Sequence, residues 1–76
     1  MARRISARTM TSVSVSCEEG DQVLSGGYVH TKDQPDVQVS GSAPTGERGW
    51  VVQVQNFSGT LSYQLGLFAR CARLTP

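Results

Sequence analysis

The chain reads as all-β: a small antiparallel β-sandwich or barrel of about five to six short strands, with an extended N-terminal arm. Three observations carry this. Apolar residues recur with period two in several short segments, the spacing of strands with one buried face. Clusters of Gly, Ser, Pro and acidic residues separate those segments, and such clusters are turn-formers. The one segment with competing helical phasing, 61–71, contains Gly66 and alternates strictly, which favours a strand.

Taken in order, residues 1–10 form the arm and 11–76 one β domain. Met-Ala-Arg-Arg-Ile-Ser-Ala-Arg opens the chain with Arg3, Arg4 and Arg8 and no acid. No apolar stretch follows the arginines, so they do not read as a secretory signal. From Thr9 the pattern turns to strand: Val13, Val15 and Cys17 alternate with Ser12, Ser14 and Ser16. Glu18-Glu19-Gly20-Asp21 is a polar turn, and Gln22 to Val29 a second strand interrupted by Ser25-Gly26-Gly27. Glycines inside a strand mark a bulge or the close approach of a bulky ring. After a loop over 31–35, Val37 and Val39 define a short strand, and Ser40 to Gly49 is expected to be a long turn. Trp50, Val52 and Val54 lead the strongest strand, with Val51 expected to be covered on its far side. Asn56 to Thr60 supplies a hairpin-like connection. Leu61, Tyr63, Leu65, Leu67, Ala69 and Cys71 then share one face of the last strand.

Seventy-six residues make one domain near the lower limit of what a single core supports. Disulfides, a metal or burial against other subunits are the usual remedies. Zinc is a poor candidate: Cys17, His30 and Cys71 lack the paired spacing of such sites. A Cys17–Cys71 bridge would close a loop of about 55 residues, worth roughly 4 kcal/mol in the chain-entropy model. The competing reading is two buried thiols acting as small hydrophobes. Charged residues are only 17% of the chain, which excludes a charge-repelled disordered tail and a broadly basic nucleic-acid binder. No apolar run is long enough for a membrane-spanning helix.

Candidates for chemistry are few. His30 has no partner in the sequence with a claim to make it a general base. The 18–21 turn lacks calcium-loop spacing. Neither a catalytic residue nor a cofactor is expected. Asn56-Phe57-Ser58 matches a glycosylation acceptor but is expected unmodified. Arg3, Arg4, Ile5 and Arg8 are the candidate partner-binding residues of the arm; three charges support only weak, non-specific phosphate binding, and Ile5 offers a partner something apolar. Tyr28, Trp50 and Tyr63 are candidates for carbohydrate or receptor contact, against a core-packing role for Trp50.

A series of residues adds a resemblance. Cys17, Gly20-Asp21, Val23-Leu24-Ser25-Gly26-Gly27-Tyr28, Val37 and Val39, Ser42-Ala43-Pro44, Gly49-Trp50, Asn56 and Ala69-Arg70-Cys71-Ala72 occur in that order. The series resembles a short module that follows collagen-like repeats in phage fibre and bacterial surface proteins, and it covers about residues 13–72. The resemblance implies a disulfide between the two Cys, an all-β fold and a non-enzymatic role. The expected function is therefore that of a phage virion structural protein. It would decorate or cement a capsid or tail through its arm and a homo-oligomeric β body, for example a trimer, with a shell or tail protein as partner. The alternatives are a receptor- or carbohydrate-binding fibre tip and a secreted bacterial surface module.

Overall fold

The computed structural model describes residues 2–30 and 36–73. Six strands follow in chain order: β1 (Ala2–Ile5), β2 (Thr9–Ser16), β3 (Asp21–His30), β4 (Val37–Thr45), β5 (Gly49–Asn56) and β6 (Tyr63–Arg73). They form two antiparallel three-stranded sheets, β1-β6-β3 and β2-β5-β4. Of the two architectures expected, the chain adopts the sandwich; the sheets do not close into a barrel.

Only β4–β5 is a hairpin, turned around Gly46 in the left-handed region (φ 65°). Every other consecutive pair crosses from one sheet to the other. Between β2 and β3 the Asp21 N–H donates to the Glu18 carbonyl at 3.0 Å. Gly20 supplies the positive φ of 89° that the third position of such a turn requires.

Alternation puts Ile5, Val37, Val52, Val54, Leu65 and Leu67 between the sheets, where all are buried, with Val13, Val15, Val39, Trp50 and Tyr63 packed against them. Each fully buried aliphatic of this size contributes roughly 1.5–3 kcal/mol. The body is long and thin, 50 × 19 × 15 Å, with a radius of gyration of 13.6 Å, against about 11 Å for a compact chain of this length.

Four sequence expectations change. The segment over 1–10 is not a free arm. Ala2–Ile5 pairs with Gly66–Tyr63 of β6, and Thr9–Met10 already belong to β2. Burial of Ile5 between the sheets is what holds this edge down. The expected long turn over 40–49 is mostly strand: β4 continues to Thr45 with a bulge at Ser40. Pro44 is tolerated because β4 is an edge. The Asn56–Thr60 connection is a crossover between sheets rather than a hairpin, since β5 and β6 lie in different sheets. Val51 lies on the outer face between Ser14 and Ala43, half-buried by its own sheet rather than by another layer.

Candidate functional site

The two ends of the sandwich are held by different chemistry. At one end Cys17, just beyond β2, is bonded to Cys71 of β6, with Cα atoms 5.9 Å apart. The bridge ties one sheet to the other. Nearby, the Trp50 ring crosses from β5 and lies against Gly26 of β3, where any Cβ would collide with the indole. Its Nε1–H donates to Ser42 Oγ at 2.8 Å. Gly27, the next residue, makes room on the opposite face for Phe68, whose ring would stand 2.9 Å from a Cβ there. The glycine pair thus serves two rings, Trp50 inside and Phe68 outside.

At the other end Asn56 extends the inward series Trp50, Val52, Val54 by one polar step. It is 1% exposed, and its Nδ2 donates to the carbonyls of Ile5, Ser6 and Leu61 at 3.1, 3.1 and 2.9 Å. Its Oδ1 accepts from the Ser58 N–H at 2.9 Å. Ser58 Oγ in turn accepts from the N–H groups of Thr60 and Leu61. One amide therefore fixes both the β1–β2 corner and the β5–β6 crossing. The same nitrogen is the atom a glycan would need, and here it is buried and committed.

The candidate binding residues are dispersed. Arg3 reaches across to the Ser14 carbonyl at 3.4 Å. Arg4 is exposed. Arg8 stands at the β1–β2 corner with φ 56° and donates its N–H to the Ser58 carbonyl at 3.0 Å. Ile5 is fully buried, so it offers nothing to a partner. Tyr28, Trp50 and Tyr63 do not form one platform. Trp50 sits over Gly26, which pairs with Ala69, whereas Tyr63 begins β6 six residues away, about 20 Å at strand rise. Tyr28 makes an edge-to-face contact with His30, centroids 5.8 Å apart. Tyr63 Oη donates to Asp36 Oδ2 at 3.4 Å. Burial first, then the neighbouring Asp36 carboxylate and this hydrogen bond, push its phenol above the usual value.

What the fold does assemble is two unlike outer faces. On the β1-β6-β3 sheet, alternation sends Arg4, Phe68 and Arg70 outward, with Val29 opposite Gly66 beside them. Phe68 is 42% exposed and Val29 57%. Among the described residues no acidic side chain shares this face, so it is apolar at its centre and basic at its rim. The outer face of the β2-β5-β4 sheet is made of Ser, Thr, Gln, Gly, Ala, Val and the one exposed Met10, without a charge. Composition alone hides this division, because the chain's charges nearly cancel in sum; the strand pairing separates them. Comparison with protein-family models, curated proteins and solved structures finds no match.

Proposed function

We propose that this chain is a non-enzymatic structural protein of a phage particle, decorating or cementing a capsid or tail. It attaches through the outer face of the β1-β6-β3 sheet rather than through a free arm. The observation that carries this is the Phe68–Val29 patch flanked by Arg4 and Arg70, with no acid beside it among the described residues, which fits an apolar, acidic patch on a shell or tail protein. Supporting it is the thin body with its small core, which leaves strand edges for neighbouring copies to cover. A small homo-oligomer, such as a trimer, would cover those edges. The disulfide suits a particle that meets an oxidising environment.

The test is co-sedimentation with undecorated shells or tails of the phage whose genome carries this gene, with light scattering to count copies. The parent protein should co-sediment, less so at high salt, and Phe68→Ser and Arg70→Glu should each weaken attachment at least tenfold. Equal attachment by both variants, or none by the parent to any particle component, defeats the proposal.

A further inference from the structure

The β2-β5-β4 sheet has a chemistry of its own. None of its residues is Asp, Glu, Lys, Arg or His, while seven Lys/Arg and six Asp/Glu lie elsewhere in the chain. Its outer face is arranged in rows across three strands. Gln55 lies between Met10 and Gln38, Gln53 between Ser12 and Gly41, and Val51 between Ser14 and Ala43.

The bulge at Ser40 breaks the flatness of this face. Beside it is an open depression of about 340 Å³ lined by Met10, Thr11, Ser12, Ser40 and Gln53, within the range of roughly 300–1,000 Å³ typical of small-ligand sites. Gly41 keeps the floor low: a Cβ there would stand 3.1 Å from Gln53 Oε1, so the Gln53 side chain lies across the neighbouring strand. Ser40 Oγ donates to the Gln53 main-chain carbonyl at 3.4 Å. The Gln53 side-chain amide has no hydrogen-bond partner among the described residues. Met10, 75% exposed, adds the one sizeable apolar side chain at the rim.

These groups select a ligand class. A charged ligand finds no counter-charge among the sheet's own side chains, and Arg3 reaches only the β2 main chain at Ser14. A purely apolar one would strip water from three hydroxyls and an amide and return no hydrogen bonds. A second copy of the same face is also a poor match. Eight-residue strands at about 3.3 Å per residue and 4.8 Å apart make a plate of roughly 26 by 14 Å, less than half of the ~800 Å² per partner of a standard interface. A neutral sugar chain presents hydroxyls for the amide and serines and C–H faces for the Met10 side chain, and it needs only a small contact at each ring. We propose that this uncharged face, centred on Gln53 and Ser40, binds a neutral polysaccharide. The site is distinct from the Tyr28, Trp50 and Tyr63 rings and does not depend on the attachment face.

The experiment probes an array of neutral glucan, mannan and galactan oligosaccharides, with alginate and polysialic acid oligomers as acidic controls, using the intact disulfide-bonded protein. The best neutral binder is then titrated by calorimetry. Neutral glycans should be retained over acidic ones. Gln53→Ala and Ser40→Ala should each weaken the titrated affinity at least tenfold with melting temperature preserved, and Arg70→Ala on the opposite face should leave it unchanged. Retention of no neutral glycan, preference for the acidic controls, or parent-like affinity in both pocket variants overturns the proposal. So does a dimer of the parent that Gln53→Lys dissolves, since the face would then be covered by a second copy. Because particles are absent from this experiment, its failure leaves the shell-attachment proposal standing, and failed co-sedimentation leaves this one standing.

Discussion

Replacing Asn56 by Ala removes a single amide and disconnects three segments. The Ile5 carbonyl and the Ser58 N–H are buried partners of that amide, and the carbonyls of Ser6 and Leu61 are partly buried ones. A buried polar group left unpaired costs roughly 1–3 kcal/mol. Two fully buried groups, with the other two partly re-solvated, give a loss of about 4 kcal/mol. A chain of this length has roughly 4–11 kcal/mol of stability in total. In a domain this small each kcal/mol moves the melting temperature by roughly 4–8 °C, so the variant should melt at least 15 °C lower (about 16 °C at the low end) or be unfolded at 25 °C. Urea and thermal unfolding followed by circular dichroism, with the disulfide kept intact, measure the loss. Asn56→Asp should do no better, because a carboxylate has no donor for the carbonyls and meets them with like charge. A loss below about 1 kcal/mol for Asn56→Ala would refute the claim that this amide organises the end of the sandwich.

Four further outcomes follow from the same geometry. Reductant, or Cys17→Ser, should cost about 4 kcal/mol, as expected for a bridge of sequence separation 54; an unchanged melting temperature would show that the bridge adds nothing. Ile5→Ala should cost roughly 2–5 kcal/mol, and removal of residues 1–5 should unfold the body, whereas a free arm would be dispensable in the same melts. Gly26→Val should push the sole tryptophan, Trp50, off its seat and shift its fluorescence, with a stability loss of roughly 1–3 kcal/mol; an unaltered emission spectrum contradicts the packing. Tyr63 should ionise above 10.0 in an ultraviolet titration, partly restored toward it by Asp36→Asn. Because folding favours its protonated form, the stability it contributes is fully present below pH 10.0 and is lost as pH rises beyond it.

Much of the strand content was legible because period-two alternation is a local signal. The Val13–Val15–Cys17 and Trp50–Val52–Val54 series announce their buried faces without reference to any partner. Gly26-Gly27 likewise announced either a bulge or a close approach, without choosing between them; Trp50 and Phe68 arrive from β5 and β6, and only the pairing register brings them there. Ala2–Ile5 was misread because an edge strand with two arginines and a single large apolar residue has no alternation to detect. Basic residues on an edge are a common guard against unwanted pairing, and they resemble an arm. Ser40–Gly49 was misread because Gly, Ser and Pro are turn-formers locally, yet an edge strand with a bulge accepts all three. Asn56 gave one usable hint: it continues an inward-facing apolar series.

What the sequence by itself determined is the class of fold and the inner face of most strands, since both depend on residues two apart. Tertiary structure alone decided which strands share a sheet. That choice turned a near-neutral chain into one basic, apolar face and one without charge, and it drew Ile5 into the core. Such outcomes depend on pairings between residues dozens of positions apart, selected by the joint burial of Ile5, Val52, Val54, Leu65 and Leu67, and no local pattern encodes them.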